Sequence, residues 1–135
     1  MKTFLDSGVL LTAWRGTSLP ETDAAKSIMA DERREFLTCE NIRLEVLPKP
    51  TFEKRRAELE FYDDYFNSVK TVEPFNEAWG TAALALAKKF GLSAGGALNL
   101  ASAIRQGADE FITSELPGKP MFRVPGIKVA SLYKL

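Results

Sequence analysis

Apolar residues fall into short runs separated by longer stretches in which they recur every three or four positions, the pattern of strands alternating with helices. Thr3-Phe4-Leu5-Asp6 is an apolar run closed by an acid and predicts a buried strand over 3–6. Ser7 is placed to cap a helix carrying Val9, Leu10, Leu11 and Trp14, which Gly16 and Pro20 end. Thr22 opens a second helix with Ala24, Ala25, Ile28 and Met29, and residues 34–39 read as a second strand. Ile42, Leu44, Val46 and Leu47 suit a short helix closed by Pro48 and Pro50. A long helix from Thr51 to about Asn67 follows, with Phe52, Leu59, Tyr62 and Phe66 as its core stripe. Phe61 and Tyr65 lie on a neighbouring face, more aromatic surface than one stripe needs. Residues 69–72 form a weak strand. Pro74 starts a helix bearing Phe75, Trp79, Ala82, Ala83, Leu86 and Phe90, ended by Gly91. Ser93 caps the next helix, whose stripe is Ala97, Leu100, Ala101 and Ile104 and which Gly107 ends. Strands over 110–113 and 127–132 complete the chain.

This alternation predicts a three-layer α/β/α fold around a central, mainly parallel sheet of four to five strands. The 135 residues fit one domain, and 45% apolar content is enough for a core. No run approaches 18 apolar residues, so no membrane-spanning helix is predicted. The amino-terminal apolar stretch is interrupted by Asp6 and followed by no small-residue cleavage site, so a cytoplasmic protein is expected.

Composition narrows the chemistry. There is no histidine and one cysteine, which removes Ser-His-Asp and Cys-His catalysis, histidine-ligated zinc and disulfide frameworks. Carboxylates remain the main candidates, and these act most readily through a hard cation such as Mg²⁺ or Mn²⁺. Cys39 ends a strand and reads as a small buried hydrophobe. The net charge is zero, but Lys119, Arg123, Lys128 and Lys134 give residues 116–135 a charge of +4 with no acid, leaving −4 on residues 1–115. A basic end on an acidic body attracts a polyanion or is an ordinary solvated strand.

In open α/β sheets, ligands bind beyond the carboxyl ends of the strands. Asp6 ends the first strand and Glu115 falls two residues after the fourth. Glu45 sits among Ile42, Leu44 and Val46, where an acid needs a partner or a metal. Each acid alone reads first as a helix cap or a surface acid. Three at these places raise the cation-site reading without deciding it.

The segments FLDSGVLLTAW, FLTCENIRLEVLPKP and LAKKFGLSAGGALNLASAIRQGADEFITSE resemble a PIN domain of the small VapC-type toxin class, over nearly the whole chain and in the family's order. The closing VPGIKVASL is similar to the family's last strand. The resemblance implies an Mg²⁺- or Mn²⁺-dependent ribonuclease with Asp6, Glu45 and Glu115 as catalytic and metal-binding acids. Ser7, Thr113 and Ser114 would support them. One stretch departs from the pattern. Where the family usually reads GLSAxDALHLA, Gly96 stands at the third acid and Asn99 at the common histidine, and no residue from Ala94 to Leu98 replaces the carboxylate. Gly95 and Gly96 in a helix's first turn cost on the order of 1 kcal/mol each relative to alanine, whereas an acid would favour the helix dipole. The site working with three acids, a domain kept for binding, an inactivating change, and an anion-binding helix end all remain open.

On the first of these, Asp6, Glu45 and Glu115 hold one ion, Asn99 hydrogen-bonds phosphate or water, and loss of the acid weakens metal binding and turnover without loss of the fold. Arg15, Lys54, Arg55, Arg56 and Lys119 are candidate RNA contacts, although Lys54–Glu58 and Arg56–Glu60 also make i,i+4 pairs on an exposed helix face. The expected partners are RNA, a cognate antitoxin protein and a second copy in a homodimer, the last resting on the resemblance and on the aromatic helix. The alternative is a catalytically weakened PIN-like domain that binds RNA or protein.

Overall fold

The computed structural model describes residues 1–16 and 19–134. Its centre is a fully parallel five-stranded sheet, the upper end of the expected range, made of β1 (Lys2–Leu5), β2 (Glu35–Cys39), β3 (Thr71–Glu73), β4 (Glu110–Thr113) and β5 (Lys128–Ser131) in the order β3-β2-β1-β4-β5. Seven α-helices among the described residues flank it: α1 (Ser7–Arg15), α2 (Pro20–Met29), α3 (Glu40–Val46), α4 (Pro48–Phe52), α5 (Arg56–Ser68), α6 (Glu77–Phe90) and α7 (Ala94–Arg105). Short 3₁₀ turns at Pro120–Arg123 and Leu132–Lys134 flank β5.

The sheet order places the functional end. The chain lays down β1, β2 and β3 in one direction, then returns to the other side of β1 for β4 and β5. The reversal leaves a crevice beyond the carboxyl ends of β1 and β4, which pair with Leu5 opposite Ile112. Phe4 and Phe111 stack across that pair at 5.6 Å and are fully buried. Strands buried on both faces read as continuous apolar runs, which is why these two were legible.

Several boundaries differ from the expectation, each for a local reason. Asp6 leaves the strand and becomes the cap of α1, accepting the Ser7 N–H at 3.0 Å, so Ser7 is the first helical residue. Pro20 does not end the first helix. Gly16, at φ 61°, does, and Pro20 sits in the first turn of α2, where its missing N–H costs nothing. Pro48 and Pro50 likewise open α4 rather than closing α3. The long helix expected over 51–67 is two helices, broken at residues 53–55 where Lys54 adopts φ 56°. The break throws Phe52 out of the core to 88% exposure. Tyr62, Tyr65 and Phe66 are all buried and Phe61 is half-buried against Trp14, so most of the aromatic surplus is absorbed inside the chain. Leu44 is exposed. Phe75 precedes α6, stacked on Trp79 at 5.0 Å, while Asn76 caps that helix. No helix among the described residues is long and apolar enough to cross a membrane.

The amino-terminal edge of the sheet carries a buried ion pair. Glu110 accepts from Arg34 and from Thr3 Oγ1 (3.1 Å), and Arg34 also reaches Asp31 at 3.2 Å. Removing the carboxylate leaves a largely enclosed guanidinium short of a partner. Glu110→Ala is therefore expected to lower stability by about 2–4 kcal/mol in chemical denaturation. Divalent-cation binding, at the opposite end of β4, is expected to stay unchanged.

Candidate functional site

At the carboxyl end of the sheet, a polar pocket of about 300 Å³ is lined by Asp6 and Ser7 from the start of α1, Glu45 from α3, Gly95, Gly96 and Asn99 from α7, and Ser114 and Glu115 after β4. Every acid singled out in the sequence faces this pocket. Asp6 is fixed from several sides. Its Oδ1 accepts from the Ser7 N–H and from Asn99 Nδ2 (3.0 Å), and its Oδ2 accepts from Thr113 Oγ1 (3.0 Å). Thr113 Oγ1 in turn accepts the Glu115 N–H at 3.1 Å, which ties the loop carrying Glu115 to Asp6. Glu45 keeps an exposed side chain, yet its Oε1 accepts from Asn99 Nδ2 at 2.7 Å and from Asn41 Nδ2 at 3.3 Å.

Glu115 lines the same pocket and is exposed, but the three acids do not close on one another. Among the described residues no three His, Cys, Asp or Glu side chains stand close enough to form a metal cluster. What converges is a pair, Asp6 and Glu45, on one amide. Hard oxygen donors at the wall of a polar pocket suit Mg²⁺ or Mn²⁺, which keep several waters and need only one or two protein carboxylates. The residues present therefore fit such an ion.

Gly96 is the first-turn residue whose N–H is capped by Ser93 Oγ at 3.2 Å. A Cβ there would meet Ser93 Oγ at 3.1 Å and Met121 Cε at 3.7 Å, so a side chain fits after a small shift of the serine. A Cβ at Gly95 would meet Glu45 Oε2 at 2.9 Å, so that glycine gives Glu45 its room. Gly8 is needed for a different contact, since a Cβ there would collide with the Ser114 side chain.

Sequence reasoning missed Asn41 and Gly8, and noted Gly95 only with Gly96, as a costly first-turn pair or an anion-binding helix end. Asn41 carried a signal, an amide one helical turn before Glu45 on the same face. Asn99 bonds the two acids rather than reaching outward for phosphate. Cys39 is buried, and burial pushes its thiol up to about 12, as expected of an unreactive side chain.

The cations divide. Arg15 and Arg55 line a second cleft of about 280 Å³ together with Lys49, and Glu45 borders both cavities. Arg55 is engaged by Glu53 and by the buried Glu58 (3.4 Å), which also accepts from Tyr62. The expected Lys54–Glu58 pair does not form, because Lys54 lies in the turn before α5, and Arg56–Glu60 is also absent among the described residues. Lys54 and Arg56 are exposed and line neither cavity. Lys119 lines a third pocket with Glu115 and Gly96.

Burial drives the Asp6 carboxyl from 3.8 up to about 6. Hydrogen bonds from Thr113, Asn99 and Ser7 oppose the rise, and the Glu45 charge adds to it. The folded protein thus holds this proton more tightly than the unfolded chain. In the absence of divalent ions, the Asp6 contribution to stability is expected to be greatest below about pH 4, to fall as pH rises through about 6, and to level off above, by at most about 3 kcal/mol. Asp6→Asn keeps the cap oxygen, and the Thr113 hydroxyl can turn to accept from the new amide. The variant is expected to lose that pH dependence and to exceed the parent in stability at pH 7. Parallel pH profiles of melting temperature for the two proteins would show that Asp6 is not the group responsible.

Residues 3–115 match the PIN domain family. No curated protein matches the sequence. Among solved structures, the fold is similar to a chain of VapBC2 from Rickettsia felis bound to a DNA fragment from its promoter (TM-score 0.73, 11% identity, covering 97% of this chain and 98% of that one). It is also similar to a chain of a toxin–antitoxin complex from Klebsiella pneumoniae (TM-score 0.72, 17% identity, 98% and 99% covered). A third likeness is to DNA-bound VapBC from Salmonella typhimurium (TM-score 0.67, 10% identity, 98% of each chain). At these identities the structural likeness shows the fold, and it is the family match over 3–115, laid on a pocket that gathers Asp6, Glu45 and Glu115, that identifies the chain as a member of the PIN domain family.

Proposed function

We propose that this chain is a divalent-metal-dependent endoribonuclease, the toxin of a toxin–antitoxin pair. The observation that carries the reading is the pairing of the Asp6 and Glu45 carboxylates at the mouth of a polar pocket, at the point where the sheet order reverses. The similar solved chains come from toxin–antitoxin complexes, which supports a cognate antitoxin as partner. A cytoplasmic location and a homodimer are carried forward as part of the proposal. The dimer draws little support from α5.

Asp6, Glu45 and Glu115 are the residues to hold Mg²⁺ or Mn²⁺. When bound, such an ion lowers the pKa of water, orients the phosphate and offsets charge on the leaving oxygen. The chain supplies the geometry. Ser7, Asn99 and Thr113 fix Asp6 so that it cannot swing away from Glu45. Thr113 also anchors the Glu115 loop, while Ser131 Oγ donates to the Glu115 carbonyl at 2.7 Å and steadies it from β5. Ser114 faces the pocket, where its hydroxyl can donate to water or phosphate. Arg15 and Lys49 on one side and Lys119 on the other have no ion-pair partner among the described residues and flank the acids, where they meet backbone phosphates. Arg55 is held by its own acids, and Lys54 and Arg56 are left as peripheral contacts.

A second reading, a weakened domain that binds without cutting, is favoured by one observation. Gly96 lines the pocket without a carboxylate where the resemblance puts the third acid. One experiment separates the two. The purified protein is expected to cleave structured RNA in Mg²⁺ or Mn²⁺, to stop with chelator, and to lose about a hundredfold or more of its rate as Asp6→Asn. Equal cleavage by Asp6→Asn would trace the activity to a contaminant. Gly96→Asp is expected to raise both metal affinity and rate. If that variant cleaves and the parent does not, the binding reading replaces the nuclease reading.

A further inference from the structure

Asn99 is 1% exposed, and every hydrogen-bonding position of its amide is used. The two Nδ2 protons go to Asp6 Oδ1 (3.0 Å) and Glu45 Oε1 (2.7 Å). Its Oδ1 accepts from Asn41 Nδ2 (3.0 Å) and from the Cys39 thiol (3.6 Å). Asn41, itself buried, divides its own Nδ2 between Asn99 and Glu45. The three side chains form a closed ring with Glu45 as the shared acceptor. A flip of the Asn99 amide would set its oxygen against two carboxylates and its nitrogen against two donors, so the network admits one orientation.

The choice of an amide matters. Two oxygens bonded to the two protons of one planar nitrogen are held about 5 Å apart, too far to collide and too far for those same two oxygens to ligate one small cation, which would be reached through Glu45 Oε2 or through its waters. A lysine or arginine at position 99 would do this with a charge that competes with any cation. A carboxylate would add to the repulsion. An amide is neutral, so it sets the spacing and leaves the pair's negative charge intact. Glu45 Oε2, the oxygen the ring does not use, lies against Gly95, where a Cβ would come to 2.9 Å. The ring holds Oε1, and the glycine at 95 leaves Oε2 its room.

We infer that Asn41 and Asn99, with the Gly95 notch, are positioning residues that hold Asp6 and Glu45 at a set separation for a divalent cation, in a chain whose third acidic position is glycine. This rests on reading the pocket as a cation site. The ring holds the two acids against their own repulsion with neutral groups.

The test is Mn²⁺ titration by calorimetry on the intact chain, with melting temperature in chelator measured alongside. Asn99→Leu preserves bulk and removes the donors. It is expected to lose roughly 10- to 100-fold in Mn²⁺ affinity. Asn41→Ala removes one support of Glu45 without vacating the space between the acids, and is expected to lose several-fold. It also keeps the test decisive if Asn99→Leu does not fold. Asn99→Asp is expected to melt below the parent in chelator and to show a larger rise on adding Mn²⁺, a response that a residue serving the core alone does not give. Parental Mn²⁺ affinity in both Asn99→Leu and Asn41→Ala, with only their melting temperatures lowered, overturns the inference and leaves the cation site standing. A parent protein that binds no Mn²⁺ at millimolar concentration overturns the cation site, and this inference with it.

Discussion

Two carboxylates that repel one another are held against a single buried amide, and much of the surrounding structure serves that arrangement. Asp6 is placed by the parallel pairing of β1 with β4, which sets its backbone N–H on the Ile112 carbonyl at 2.9 Å. It also caps α1, whose N-terminal dipole favours the ionised form that burial resists. Glu45 arrives from α3, a seven-residue helix too short to be stable alone, fastened to the site through Asn41 and Asn99. The helix α7 that delivers Asn99 is locked to α6 by Trp79, whose indole N–H donates to the Leu98 carbonyl at 2.8 Å. The hairpin is closed by a left-handed Gly91 and the Ser93 cap.

The same constraint explains why the pocket is lined by glycines and serines. Gly8 lets α1 pack against Ser114, and Gly95 lets Glu45 reach the first turn of α7. Neither is needed for backbone conformation, since the left-handed glycines lie elsewhere, at Gly16, Gly91, Gly107, Gly118 and Gly126. Their role is close approach. A side chain at either place would displace the Glu45 carboxylate or the Ser114 hydroxyl from the pocket wall.

Much of this was legible in the sequence, in a graded way. The five strands and the acids at their ends were readable because a parallel sheet leaves apolar runs whose ends are marked by polar residues. Asp6 after Thr3-Phe4-Leu5 and Glu115 after the run at 110–113 are of this kind. The break at Lys54 was not, because a lysine in the left-handed region carries no local mark and the aromatic spacing runs through it without interruption. Phe52 was misplaced for that reason. The proline positions were misread because Pro48 and Pro20 fit a helix's first turn as readily as a helix's end. Least legible was the amide ring. Asn41 and Asn99 are 58 residues apart, and no periodicity links them.

The departures at Gly96 and Asn99 therefore have different physical weight. Gly96 subtracts a group. A Cβ there would meet Ser93 and Met121. Asn99 adds a function, because a histidine in the same enclosed space has two ring nitrogens and no second donor on either, so it cannot hold both acids from one atom while accepting from Asn41. A site short of one carboxylate carries less mutual repulsion and needs less positive charge to be stable. The amide ring holds the remaining pair without adding charge. On the proposed reading, glycine at 96 and the amide at 99, one helical turn apart on α7, give a centre built around the Asp6–Glu45 pair and a polar pocket, with Glu115 at its edge on a loop tied to Thr113 and Ser131.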